Sequence, residues 1–122
     1  MKLINDLFEV LETAVSDMGF NNTIELNSSH IIYKGHFPGH PVTPGVIQMQ
    51  IVHELLENHF SEGLKLIAMP QCKFLKILNP NETSRLVVKI EFTRIDEMLN
   101  VKACGEHGLD IFFKLNSAYQ FV

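Results

Sequence analysis

The chain has little that would tie it to covalent cross-links, nucleotides or a membrane. It carries only two cysteines, Cys72 and Cys104, far apart and without CxxC spacing. Buried, reduced thiols in a cytoplasmic protein are the expectation, with no disulfide framework and no cysteine metal site. No stretch approaches the ~20 apolar residues that a membrane-spanning helix needs. Met1-Lys2-Leu3-Ile4 is not expected to act as a signal peptide, because Asn5 and Asp6 break the apolar run at once. There is no GxSxG, GxGxxG or P-loop, so nucleophile-elbow, dinucleotide and nucleotide readings have nothing to rest on. Lys and Arg number 10 against 14 Asp and Glu, a formal net charge of -4 that argues against nucleic acid as a partner. Internal repeats, linkers and low-complexity segments are missing too. At 122 residues the expectation is a single domain, 1–122. Such a chain buries roughly two thirds of its unfolded surface, so a core is attainable without metal or disulfides.

What the chain does have is one helical pattern among many alternating ones. The first few residues could form one or two helical turns. Phe8 to Val15 reads as a strand, Asp17-Met18-Gly19 as a turn, and Asn22 to Leu26 as the hairpin partner. Asn27-Ser28-Ser29 then leaves the sheet for a loop. A helix is predicted from about Pro44 to Phe60, ~25 Å long, with Thr43 as N-cap and Pro44 at the first helical position. Ile47, Ile51, Val52, Leu55 and Leu56 form its apolar stripe. Gln50, His53, Glu54 and Glu57 share another side, which by itself reads as a solvated face.

After Gly63 the period becomes two. Leu64 to Lys76 reads as a strand kinked at Pro70, followed by a turn at Asn79-Pro80-Asn81-Glu82. Leu86, Val88, Ile90 and Phe92 alternate with Val87, Lys89, Glu91 and Thr93. Met98 to Cys104 is a further strand, Glu106-His107-Gly108 a turn, and Ile111 to Phe121 the last strand. The economical packing is α+β: an antiparallel sheet of about six strands curled around one long helix.

The most informative stretch is Gly35-His36-Phe37-Pro38-Gly39-His40-Pro41-Val42-Thr43-Pro44-Gly45-Val46. It holds His36 on a Pro/Gly-stiffened loop that runs straight into a helix start. A fixed histidine beside unpaired helix amides is suited to acid–base work on a carbonyl compound.

The pattern His36-Phe37-Pro38-Gly39-x-Pro41-Val42-x-Pro44-Gly45-Val46 resembles the signature of the FabZ/FabA-type 3-hydroxyacyl-acyl-carrier-protein dehydratases, which are hotdog-fold enzymes. Lys73-Phe74, Lys76 and the Pro80 turn are similar to the stretch that follows the helix in that family. Pro44-Gly45-Val46-Ile47-Gln48 is similar to the small relatives found in aryl-polyene and flexirubin-type pigment clusters. The resemblance implies a dimer with two sites at the interface and no cofactor. It implies His36 as the catalytic histidine, Gly45 and Val46 as the amides that receive the thioester oxygen, and Phe37 and Pro38 beside the substrate. Acyl carrier protein would bring the substrate. The partner subunit would be a second copy or a related hotdog chain. The family carboxylate position falls on Gln50, and the family's usual glutamate and glutamine at positions 50 and 54 are here inverted.

That departure bears on the chemistry. Loss of water from a 3-hydroxyacyl thioester requires a base for the proton beside the carbonyl, an acid for the leaving hydroxyl, and donors for the thioester oxygen. Histidine suits the first task, and the amides of Gly45 and Val46 the third. If Thr43 caps Val46, only Gly45 stays free. A glutamine cannot donate a proton as an acid does. Three routes remain open: His36 shuttles the proton alone, Glu54 substitutes from the next turn, or another subunit supplies the carboxylate. The leading reading is a dehydratase that makes the trans-2-enoyl product. The alternatives are a catalytically weak subunit or carrier-binding module, and an acyl thioesterase.

Other features carry less. His36 and His40 have i,i+4 spacing, but Pro38 and Gly39 rule out the helix that would make it a metal pair. His30, His53, His59 and His107 read as surface or structural. Lys73 and Lys76 read as a solubilising strand surface that could also dock an acidic carrier protein despite the negative total.

Overall fold

A computed structural model of the chain describes residues 2–37 and 39–122. Six strands form one antiparallel sheet in the order β1-β2-β4-β5-β6-β3. The strands are β1 (Phe8–Val15), β2 (Gly19–Leu26), β3 (Leu64–Phe74), β4 (Arg85–Ile95), β5 (Met98–His107) and β6 (Asp110–Phe121). A short helix α1 (Ile32–Gly35) and the long helix α2 (Gly45–Phe60) lie between β2 and β3. The architecture is the α+β arrangement expected from the sequence. No helix among the described residues is long and apolar enough to cross a membrane.

Alternation in the strands decides which face is covered. Leu86, Val88 and Ile90 of β4, Leu99, Val101 and Ala103 of β5, and Phe113, Leu115 and Tyr119 of β6 are all buried. They share one apolar cluster with the α2 stripe Ile47, Ile51, Val52, Leu55 and Leu56. Each such side chain contributes roughly 1.5–3 kcal/mol when fully buried. The stripe therefore outweighs a missing N-cap, worth about 1 kcal/mol, and α2 indeed has no side-chain cap.

The missing cap corrects the expected helix start. Pro44 is the cap residue and Gly45 the first helical one. Thr43 does not cap, because its hydroxyl bonds the Tyr33 hydroxyl at 2.9 Å and its N–H donates to Leu78 O at 2.8 Å. Tyr33 also explains α1, where the sequence suggested only loop: this buried ring draws one turn of chain into the core. At the N-terminus, the expected helical turns reduce to one turn, closed by Leu7 N–H on Leu3 O at 2.7 Å.

The strand limits moved in both directions. β2 begins at Gly19, three residues earlier than the alternation suggested, because Asn21 and Asn22 pair with Lys89 and Val88. β5 runs on to His107 through its pairing with β6, and the turn falls at Gly108, whose φ of +58° favours glycine. β3 ends at Phe74 and leaves Lys76 outside the strand. The kink expected at Pro70 is present as register shifts between Leu66 and Gln71. Cys72 and Cys104 are free, but both are only half-buried. Partial burial still pushes both thiols up from their ordinary range.

Close approach makes one glycine testable. A Cβ on Gly19 would sit 1.9 Å from the Ile90 carbonyl oxygen, a backbone atom that cannot turn aside. Gly19→Ala is expected to cost about 1–3 kcal/mol in urea unfolding. Gly35→Ala, where nothing lies within 4 Å, should stay within about 0.5 kcal/mol.

Candidate functional site

The site is built around the start of α2. Pro44 has no N–H to offer, and its carbonyl accepts from Ile47 and Gln48 at 3.0 and 3.1 Å. The N–H groups of Gly45 and Val46 find no acceptor among the described residues. They are two unpaired donors at the positive end of a helix of 16 residues. With Thr43 engaged by Tyr33, the cap that would have removed the Val46 donor is not made.

The Phe74 ring covers Gly45 so closely that a Cβ there would lie 2.6 Å from it. Gly45, Gln48 and Phe74 line a cleft of about 330 Å³ that continues along the segment from Leu75 to Leu78. Val46 at 67%, Leu75 at 52% and Ile77 at 70% exposure leave its surroundings apolar and open.

His36 follows α1 in extended conformation, and its carbonyl accepts from Val42 N–H at 3.0 Å. Gly39, with φ +84°, supplies a conformation that other residues adopt at a cost. The imidazole is exposed, lies edge-on to Phe37 with ring centroids 5.8 Å apart, and has no hydrogen bond among the described residues. Phe37 is exposed as well. Pro38, the remaining substrate-side residue expected from the sequence, lies outside the described residues.

The polar side of α2 is not the solvated face that its composition suggests. Glu54 is 5% exposed. Its carboxylate accepts Leu3 N–H at 2.7 and 2.9 Å, Ile4 N–H at 2.8 Å, and the Gln50 side-chain amide at 2.9 Å. Every described partner of Glu54 is a donor, so the ionised form is the one that satisfies them. One turn on, Glu57 accepts Leu64 N–H at 2.8 Å, and His53 Nε2 meets Leu64 O at 2.8 Å. This face ties the N-terminal segment and the start of β3 to the helix.

Within the chain, no hydrogen bond or ion pair among the described residues joins His36 to Gln50 or Glu54. The residues brought together are Gly45, Gln48 and Phe74 at the cleft, and Gln50 with Glu54 on the helix. Lys76 pairs with Asp110 at 3.0 Å, and Lys73 stands opposite Lys114 on the β3–β6 ladder. No group of three or more His, Cys, Asp or Glu able to hold a metal occurs among the described residues.

Gln48, not singled out in the sequence, also lines the cleft. It is 3% exposed, with Nε2 donating to Thr43 O at 2.9 Å and Oε1 without a partner. The signal was there: position 48 falls on the same face as Ile51, Val52 and Leu55, where a polar residue must be buried.

Comparison with known proteins agrees with this geometry. The model of the ApeI-like family, described as ApeI dehydratase, matches residues 12–107. The 3-hydroxyacyl-acyl-carrier-protein dehydratase FabZ of Caldanaerobacter subterraneus subsp. tengcongensis is 26% identical over 116 residues, which cover 89% of this chain and 79% of the relative. The FabZ of Chloroflexus aggregans is 26% identical over 99 residues, covering 75% and 67%. The chain thus spans about two thirds of that relative. Among solved structures, a chain of the dehydratase heterocomplex ApeI:P from Xenorhabdus doucetiae superposes with a TM-score of 0.73 at 18% identity, covering 91% of this chain and 96% of that one. An uncharacterized protein from Erwinia carotovora subsp. atroseptica gives 0.63 at 16% identity, covering 92% and 90%. The fold is the hotdog.

The environment of Glu54 gives a direct stability test. Glu54→Gln replaces an acceptor oxygen by a donor facing donors, and is expected to cost about 1–3 kcal/mol in chemical denaturation. Amide exchange at Leu3 and Ile4 should accelerate with it. Unchanged stability together with unchanged exchange would show that the carboxylate does not anchor this segment.

Proposed function

Because the chain belongs to the ApeI-like dehydratase family, we propose that it takes part in the dehydration of 3-hydroxyacyl thioesters carried by acyl carrier protein, in fatty-acid or polyene-type biosynthesis, as one subunit of a hotdog dimer. The observation that carries this reading is the pair of free amides at Gly45 and Val46, together with His36 on its stiffened loop. His36 takes the proton from the carbon beside the thioester carbonyl. The Gly45 and Val46 N–H groups hold the negative charge that develops on the thioester oxygen, aided by the α2 dipole. The C3 hydroxyl then leaves as water, which requires a proton from an acid.

We place that acid outside this chain. Gln50 cannot supply a proton. Glu54 is occupied by Leu3, Ile4 and Gln50. Gln50 itself does a task that a glutamate there could not do: it donates to the Glu54 carboxylate at 2.9 Å. The inverted pair therefore keeps one carboxylate and one amide but commits the carboxylate to structure. A related hotdog subunit bearing the usual carboxylate would complete the site, and the ApeI:P neighbour is described as a heterocomplex. The edge strand β3, along which Leu66, Ile67 and Phe74 are exposed, suits a subunit interface. Docking of the acidic carrier is assigned to Lys73 and Lys76, with Lys114 beside Lys73.

Mass spectrometry of carrier-bound 3-hydroxyacyl substrate tests this reading. The chain alone should lose little water from it, and addition of a carboxylate-bearing hotdog partner should restore turnover. His36→Ala in that mixture should lower the rate by about 10²–10⁴. Full activity of the isolated chain would remove the partner from the scheme, and release of free acid would mark a thioesterase. Charge reversal at Lys73 and Lys76 should weaken carrier-bound substrate and spare small soluble thioesters. Equal losses on both would assign the lysines another role.

A further inference from the structure

His36 sits on a segment that the core itself does not hold. From Lys34 to Val42 no described residue is buried. Their backbone hydrogen bonds stay local: Lys34 N–H donates to Ile31 O at 3.0 Å, His40 N–H to Phe37 O at 2.9 Å, and Val42 N–H to His36 O at 3.0 Å. Among the described residues, none of this stretch forms an ion pair. The place of His36 is therefore set largely by the two ends of the loop.

Both ends are buried. The Tyr33 ring belongs to the apolar cluster. Thr43 is engaged at each of its polar atoms. Its N–H donates to Leu78 O at 2.8 Å, its carbonyl accepts from Gln48 Nε2 at 2.9 Å, and its hydroxyl meets the Tyr33 hydroxyl at 2.9 Å. The first two bonds fix Thr43 to the segment before β4 and to α2. The third joins the start of the loop to its end. Burial pushes the Tyr33 phenol up from its ordinary range, although the bond to Thr43 pulls the other way, so the phenol keeps its proton at neutral pH. A displacement of about 1 Å in a reacting group can cost on the order of 10² in rate, so a tie at this point has a catalytic consequence.

We propose that Tyr33 is a positioning residue, whose hydroxyl, bonded to Thr43 across the neck of the loop, sets where His36 stands relative to the Gly45 amide. Tyr33 touches no substrate in this scheme and acts only through His36. Its effect on rate rests on the dehydratase reading of the site; its effect on the loop does not.

Two variants separate positioning from stability. Tyr33→Phe keeps the ring and leaves the Thr43 hydroxyl buried without this partner. Tyr33→Phe combined with Thr43→Val removes both hydroxyls and keeps both shapes, which should bring the urea midpoint back close to that of the wild type. NMR relaxation of the backbone amides of His36, Phe37, Gly39, His40 and Val42 reads the loop without any reaction. Order parameters there should be about 0.85 in the wild type and fall below about 0.6 in both variants, the double one included. With a carboxylate-bearing partner subunit present, kcat on carrier-bound 3-hydroxyacyl substrate should drop about 10–100-fold in both variants, while KM stays within about twofold. A double variant with a loop as ordered as the wild type's overturns the proposal. So does a double variant that keeps or regains the wild-type kcat, which would leave the bond a purely structural role, or a wild-type loop that is already mobile. Should no form of the protein lose water from substrate, with or without a partner, the dehydratase reading falls, and the order parameters alone decide whether Tyr33 holds the His36 loop.

Discussion

The Glu54 carboxylate is the constraint on which the reading of this chain turns. It sits buried in the third turn of α2, with backbone donors of Leu3 and Ile4 on one side and the Gln50 amide on the other. A buried charge is stable only when it is paired or fully hydrogen-bonded, and here the partners are fixed pieces of backbone. The N-terminal segment is thereby clamped to the helix, and Leu3, Leu7 and Phe8 complete the core beneath it. The same helix carries the two free amides at its start. One element thus anchors the N-terminal segment along its polar side and presents unpaired amides at its N-terminus.

Much of this was legible in the sequence because it rests on periodicity. The α2 stripe at 47, 51, 52, 55 and 56 is buried as its spacing requires, and strict alternation located β4, β5 and β6. The Pro/Gly motif around His36 pointed to a hotdog dehydratase, and the family match and the fold bear out that level of identification. Pairing partners were harder. Gly19 and Asn21 gain their strand character from β4 and not from their own composition, so the start of β2 could not be read locally.

The parts that stayed hidden depend on contacts distant in sequence. Position 54 looked solvated because its acceptors' partners lie 51 and 50 residues away, at Leu3 and Ile4. Thr43 has the residue type and position of an N-cap, but Tyr33, ten residues upstream, takes its hydroxyl. No local propensity signals that competition, and its consequence is that the Val46 amide stays uncapped. Gln48 is the opposite case. Its burial was readable from helical phase alone, while its unpartnered oxygen became visible only once Thr43 and Phe74 were placed.

In the proposed scheme the Glu54 carboxylate anchors the fold and takes no part in proton transfer. The most direct measurement is the dehydration rate of Glu54→Gln beside that of His36→Ala, each normalised to folded protein, with a carboxylate-bearing partner subunit present. Glu54→Gln should keep its rate within about threefold, while His36→Ala loses about 10²–10⁴. A loss in Glu54→Gln as large as that in His36→Ala, with folding intact, would make Glu54 the acid and rule out a purely structural role for it.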